Sequence, residues 1–296
     1  MKNIFFLFII LISSNAYALK PERSYKLTPE KYGFMYKELD VKTSDGIRIK
    51  AWFLPSQHRT MEEVRESMAN PQSPEYMIRN NEKKPTIIIC DGDAQNMSVN
   101  LILAWWLLEK GFNVVTFDWR GFGESDDWEI NEDYFCYSEF LLDYEAVINE
   151  TNKQPEVDDK KIGVYGGSTG AYLSFAIVSI NNKVSCFAGR GLMTKFNDLI
   201  KIVKEVRPGR HLIVPGDYPM HLQPLPLSRH FNKPAFLVVG DNDDRTPAWM
   251  SQKIYSNLKG PKEIWIVEGA THSGVKGPEN ADGFIDRLVE FYNKYL

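Results

Sequence analysis

Gly166-Gly167-Ser168-Thr169-Gly170 decides the fold of this chain. The stretch follows an apolar run over 161–165 and opens a helical run over 171–180. It therefore places a serine between small residues on a strand-to-helix corner, the geometry of a nucleophile elbow. Such a corner is so sharp that side chains two before and two after the serine would collide with neighbouring backbone, which accounts for Gly166 and Gly170. A glycine-rich strand-loop-helix can also cradle a dinucleotide phosphate. Here the spacing is not G-x-G-x-x-G, and the next apolar run, 184–188, ends without an acidic residue to hold a ribose.

Outward from the elbow, short apolar runs alternate with helical patterns. Two strands are expected at 38–42 and 47–54, separated by Asp45-Gly46, a two-residue hairpin signal. A polar segment near 55–84 is too long for a hairpin loop. It carries the capping box Thr60-Met61-Glu62-Glu63 and reads as a surface insertion with one short helix. Strands follow at 86–90, 113–117, 161–165, 184–188, 235–239 and 263–267. Helices are expected at 97–110, over most of 132–150, and at 249–258 and 282–295. Strands that are apolar throughout and separated by helices predict an α/β fold, a mostly parallel sheet with helices on both faces. After the sixth strand, near 190–233, the alternation stops. A helical pattern at about 196–206 and five prolines, Pro208, Pro215, Pro219, Pro224 and Pro226, read as a lid or cap leaving the same sheet edge as Ser168.

The full chain has 296 residues and a formal charge of −4, enough for a sizeable core and without the broad basic surface that nucleic-acid binding demands. Lys2, the apolar stretch 4–12 and Ala16-Tyr17-Ala18 form a signal-peptide pattern over 1–18, so a mature domain over 19–296 is expected. No later segment is apolar enough to span a membrane, so no stable span is expected after processing. The product is expected to be exported, periplasmic or secreted if the source is bacterial. Cys90, Cys136 and Cys186 are the three cysteines and read as buried thiols. Their spacing suggests no metal site, and none is expected.

A serine hydroxyl is a poor nucleophile near neutral pH and needs a base, which in turn needs an orienting acid. Of five histidines, His58 lies in the insertion and His211, His221 and His230 lie in or beside the lid. Only His272, in the loop Glu268-Gly269-Ala270-Thr271-His272, sits at a strand's carboxyl end. The acid is sought after the strand 235–239, in Gly240-Asp241-Asn242-Asp243-Asp244-Arg245-Thr246-Pro247, where three aspartates are open. Thr246-Pro247 reads as a helix cap and first turn. Trp105 and Trp106 read as core at helical spacing, and Lys195, Lys201, Lys204, Arg207 and Arg210 as a solvated face.

With these residues in view, the chain resembles the α/β-hydrolase superfamily, in particular its small serine hydrolases of the carboxylesterase, acyl-thioesterase and depalmitoylase-like kind. The resemblance runs from Thr43 to the last helix. It implies the α/β-hydrolase fold with the triad order Ser168, Asp243, His272, because the family's acid stands three residues after the glycine that ends its strand. Asp118-Trp119-Arg120-Gly121-Phe122-Gly123-Glu124-Ser125 resembles the family's D-x-R-G-x-G-x-S turn, a structural one. Asp91-Gly92-Asp93-Ala94-Gln95-Asn96 resembles its H-G-N-A-x-N loop. That correspondence makes the backbone N–H groups of Asp93 and Thr169 the oxyanion donors, with Asp91 standing where the family has His and Asp93 where it has Asn. A backbone donor does not depend on the side chain it carries.

The expectation is an exported serine hydrolase that cleaves a carboxylic ester or thioester of a small acyl substrate through an acyl-enzyme, with no cofactor. The alternatives are a peptidase or acyltransferase using the same triad, or a catalytically silent hydrolase fold that binds ligands.

Overall fold

Ile87 and Ile89 point into one apolar core and Ile88 and Cys90 into another, so a single strand feeds both faces of the sheet. The computed structural model describes residues 18–77, 82–92, 94–210, 212–277 and 279–296. The expected leader, apart from its last residue, lies outside them, as do Asp93 and His211. The main sheet has eight strands: β1 (Lys37–Lys42), β2 (Arg48–Leu54), β3 (Lys84–Asp91), β4 (Asn113–Phe117), β5 (Val157–Gly167), β6 (Cys186–Arg190), β7 (Ala235–Gly240) and β8 (Lys262–Val267). Their spatial order is β8-β7-β6-β5-β3-β4-β2-β1, and β2 alone runs antiparallel to its neighbours.

Helices cover both faces, as runs of consecutive apolar residues require. On one side, α2 (Leu101–Glu109) and α8 (Ala281–Tyr295) bury Leu101, Leu107, Phe284, Leu288 and Phe291. On the other lie α3 (Phe140–Asn152), α4 (Thr169–Ile180) and α7 (Ala248–Asn257), through Tyr144, Val147, Leu173, Phe175 and Ile254. The insertion carries α1 (Met61–Ala69), which starts at Thr60 with the expected capping box. Trp105 and Trp106 stack on each other at 5.7 Å beside the α2 and α8 core. Trp105 Nε1 donates to the Arg59 carbonyl of the insertion at 3.1 Å.

The segment after β6 holds α5 (Phe196–Val206) and the short α6 (Pro224–Ser228). Its inner face is tied to the nucleophile helix by an aromatic cluster: Phe196 stacks on Tyr172 at 5.2 Å and meets Tyr218 edge-on at 5.1 Å. Ahead of the sheet, residues 18–25 form an arm. Leu19 is fully buried, and Lys20–Pro21 pairs in parallel with Ala94–Gln95.

Three local expectations are corrected. The β1–β2 connection is not a two-residue turn: it closes on Thr43 and Ile47, with Gly46 at φ +92°, and Asp45 is drawn into an ion pair with Arg120. Residues 132–139 are not helical. Tyr134 bridges Ile213, Phe135 donates its N–H to the Ile213 carbonyl at 2.9 Å, and Ile213 donates to Asp133 at 2.8 Å. Their aromatic spacing imitates a helix, but pairing with a distant segment wins over local pattern. Finally, β5 is longer than its apolar run: it starts at the buried Val157, paired with Lys84, and passes through the more exposed Asp158 to Lys160 before the run begins.

Candidate active site

Ser168 sits on the corner between β5 and α4 at φ +55°, ψ −122°, a conformation that L-residues avoid and that costs on the order of 1–3 kcal/mol. Close packing enforces it. A Cβ on Gly166 would lie 2.6 Å from the Gly170 carbonyl oxygen, and one on Gly170 would lie 2.3 Å from that of Cys90. These two glycines let α4 press against the strand ends, so the serine is lifted to the carboxyl edge of the sheet, where it stays half-buried. The Ser168 N–H is used by the Arg190 carbonyl at 2.8 Å. Thr169 is the first residue of α4 and is buried; Asp93, the other expected donor, lies outside the described residues.

The structure brings Ser168, His272 and Asp243 into one hydrogen-bonded line. Ser168 Oγ is 3.1 Å from His272 Nε2, and His272 Nδ1 is 2.7 Å from Asp243 Oδ2. His272 is carried by the loop after β8 and Asp243 by the loop after β7, two adjacent parallel strands. Gly191 makes room for the ring: at φ +63°, a Cβ there would stand 3.0 Å from His272 Cε1 and 2.9 Å from Thr246 Oγ1.

Asp243 accepts four hydrogen bonds. Its Oδ1 takes the N–H groups of Arg245 at 2.9 Å and Thr246 at 2.8 Å, and its Oδ2 takes the Thr246 hydroxyl at 2.8 Å besides His272. Burial by itself would raise this carboxyl, but the hydrogen bonds from His272 and Thr246 outweigh it and hold Asp243 below the ordinary carboxylate value. Burial is also the largest influence on His272 and lowers it. Asp243 opposes the shift, and the charges of Arg190 and Arg245 add to it. The imidazole is thus neutral near pH 7, with Nδ1–H on the carboxylate and the Nε2 lone pair on the serine hydroxyl. This arrangement can take a proton from Ser168 and hold it between two acceptors.

The other two loop aspartates do different things. Asp241 accepts the Gly269 N–H at 2.7 Å at the start of the histidine loop, and Asp244 is exposed. His58, His221 and His230 are exposed, and His58 pairs with Glu109. Thr246 is not the helix cap expected of it. The cap of α7 is Pro247, while the Thr246 hydroxyl is turned inward to Asp243 and lies 3.2 Å from His272 Nδ1. Arg190 was missed altogether. Its Nη1 donates to the His272 carbonyl at 2.6 Å, and its only signal in the sequence is its position at the end of an apolar run. Cys90, Cys136 and Cys186 are buried and lie outside any disulfide. Among the described residues, no group of three or more His, Cys, Asp or Glu is arranged to hold a metal, and no helix is long and apolar enough to cross a membrane.

Comparison with known proteins agrees with this architecture. A family model described as serine aminopeptidase, S33, matches residues 81–208. The YfhR protein of Escherichia coli K12 is 24% identical over 260 residues, 86% of this chain and 80% of its own. Among solved structures, the Pyrococcus furiosus esterase Pf2001 superposes with a TM-score of 0.68 at 20% identity, covering 94% of this chain and 97% of its own. Pyrococcus horikoshii acylaminoacyl peptidase gives a TM-score of 0.65 at 18% identity, over 89% of this chain and 42% of its own. The chain has the α/β-hydrolase fold, and over residues 81–208 its sequence is similar to that family of hydrolases.

Proposed function

We propose that the protein is an exported serine hydrolase that cleaves a carboxylic ester or thioester through an acyl-enzyme. The observation that carries this reading is the line Ser168 Oγ, His272 Nε2 and Nδ1, Asp243 Oδ2 at 3.1 and 2.7 Å, ending on a serine held at positive φ. In this reading, Ser168 Oγ attacks the acyl carbon as His272 Nε2 takes its proton. The resulting imidazolium is held by Asp243, and the proton passes to the leaving alcohol or thiol. Water, deprotonated by the same nitrogen, then frees the acid and restores Ser168. The Thr169 N–H, at the positive end of α4, faces the developing oxyanion. The second donor is expected at Asp93, and each such donor contributes roughly 3 kcal/mol of transition-state stabilisation.

Ester chemistry is favoured because the esterase from Pyrococcus furiosus is matched over nearly its whole length. The acylaminoacyl peptidase and the Porphyromonas gingivalis dipeptidyl peptidase 4 are matched over only 42% and 35% of theirs. A peptidase is the second reading, on the strength of the S33 description and those neighbours. Fluorophosphonate labelling of Ser168 tests the class. A screen of esters, thioesters and aminoacyl amides graded by acyl length then separates the two readings, and failure to label removes both.

Export rests on the amino-terminal pattern. Ala18 and Leu19 are buried, and both donate to the Glu132 carbonyl, at 2.7 and 2.9 Å. Cleavage after Ala18 must therefore precede docking of the arm. Sequencing of exported protein is expected to begin at Leu19; an intact Met1 in a membrane fraction argues for an anchored enzyme instead.

A further inference from the structure

We propose that Arg190 is a positioning residue that sets the distance between nucleophile and base, its main chain fixing the elbow and its side chain fixing the histidine loop. The inference rests on the triad reading above and adds a part to it. Arg190 ends β6, in register with Gly167 of the elbow strand on one side and Val238 of the acid strand on the other. Its carbonyl accepts the Ser168 N–H at 2.8 Å, and its Nη1 reaches the His272 carbonyl at 2.6 Å. The next residue, Gly191, is anchored to the Val238 carbonyl at 2.9 Å and borders both Thr246 and the His272 ring. Residues 190–191 therefore touch all three loops that carry the triad.

A guanidinium is a costly group to bury, and this one is only 6% exposed. It earns its place by a short, charge-assisted bond to a main-chain carbonyl, which holds the loop backbone while Asp243 and Thr246 hold the ring. A lysine cannot reproduce a planar fork, so the two cations are not interchangeable here.

A second consequence follows from the charge. The charged groups acting on His272 are Asp243, Arg190 and Arg245, and both arginines disfavour the imidazolium. Arg190 thus works with burial to keep the base unprotonated below the pH at which an ordinary imidazole would be lost.

The test is kinetics and pH profiles of Arg190→Met and Arg190→Lys beside the wild-type enzyme, with thermal midpoint and fluorophosphonate titration of active sites as controls. Arg190→Met is expected to lower kcat about ten- to a hundredfold per titrated site at unchanged KM, the size of effect that follows a shift of about 1 Å in a catalytic group. Its acid limb should move up towards the ordinary imidazole value. Arg190→Lys should lower kcat less and leave the acid limb in place, because the charge is kept. A purely structural role would change the midpoint and the titratable fraction but neither the per-site kcat nor the limb, and that result overturns the proposal. Should Arg190→Met not fold, Arg190→Lys decides: reduced kcat at unchanged KM supports the proposal, and wild-type kcat overturns it. An unlabelled wild-type protein overturns the triad reading and this inference with it, whereas a labelled wild type with indifferent Arg190 variants overturns the inference alone.

Discussion

Asp118 and Asp243 are both buried, both stand just beyond the carboxyl end of a parallel strand, and both collect several hydrogen bonds, yet they are tuned in opposite directions. Asp118, after β4, accepts the Met97 N–H at 2.6 Å and the Tyr25 hydroxyl. Burial is the largest influence on it and outweighs these neutral donors, so its carboxyl is pushed up to about 6. Asp243, after β7, has amide and hydroxyl donors of the same kind plus an imidazole, and is held below the ordinary value. At Asp243 the hydrogen bonds, that of His272 foremost, outweigh burial, whereas at Asp118 they do not. Asp118 acts as a brace, joining the amino-terminal arm through Tyr25 to the turn that begins at Met97, while Asp243 holds the His272 ring.

The largest effects should separate these corners by activity. Ser168→Ala should reduce turnover about a millionfold and abolish labelling, with the fold intact or slightly more stable because the strained position loses nothing in packing. Asp243→Asn should cost about 10⁴ in kcat, since an amide no longer holds the useful tautomer. Asp241→Asn, which touches only the Gly269 N–H, should cost far less. Measured kcat for the three settles this, and a crippled Asp241→Asn beside an active Asp243→Asn would reverse the assignment of the acid.

The next effect is on stability and has a sign that differs between the corners. Asp118 is raised in the folded state, so the unfolded chain releases its proton first. The contribution of Asp118 to stability is therefore greatest in acid and declines as pH rises from the ordinary carboxylate range through about 6. Asp118→Asn should destabilise the protein at pH 4 by about 1–3 kcal/mol for the donors left unmet, read as a lower thermal midpoint, and the gap to wild type should narrow by pH 7. Asp243 is depressed, so its contribution is complete above the ordinary carboxylate range and fades only in stronger acid. The Asp243→Asn gap should widen as pH falls below the ordinary imidazole value, because His272 loses the carboxylate that supports its charged form, and should close again only in that stronger acid. Parallel curves for the two variants would break the comparison.

How much of this was legible depended on whether the deciding contact was local. Gly166 and Gly170 announce a tight corner because the clash they avoid lies within five residues and with the next strand over. The parallel sheet is legible in runs such as Ile87-Ile88-Ile89, apolar on both faces. The positions of Ser168, Asp243 and His272 at carboxyl ends of neighbouring strands follow from that sheet, so their proximity needed no knowledge of side-chain packing. By contrast, the contact of Tyr25 with Asp118 spans 93 residues, and Phe135 is straightened by Ile213 from the segment after β6. Arg190 ends an apolar run like any solvent-facing cation, and only the fold shows that it turns inward. Thr246 failed for a subtler reason. A threonine just before Pro and a helix is as good a cap as any, and nothing local says that its hydroxyl has a carboxylate to serve.

Thr246 also supplies the smallest and most discriminating test of the two corners. Its hydroxyl donates to Asp243 Oδ2 and lies within 3.2 Å of His272 Nδ1, so it both supports the ionised carboxylate and crowds the proton that the imidazole keeps on it. Valine matches its shape and removes only the hydroxyl. If Asp243 owes its depressed value chiefly to His272, as the order of influences indicates, Thr246→Val should leave the acid ionised and lower kcat only about three- to tenfold, the worth of one lost hydrogen bond. KM should not change, because the bond matters when His272 carries charge, and Thr246→Ser should restore the rate. The matching change at the other corner, Tyr25→Phe, likewise deletes one hydroxyl donor to a buried aspartate, but there no imidazole stands beside the carboxyl and the charge of Arg23 is the least of its influences. This change should lower the thermal midpoint more than Thr246→Val does and raise the Asp118 carboxyl further. If instead Thr246→Val abolished turnover while Tyr25→Phe was silent in stability, neutral donors rather than the imidazole would be setting the charge state of Asp243.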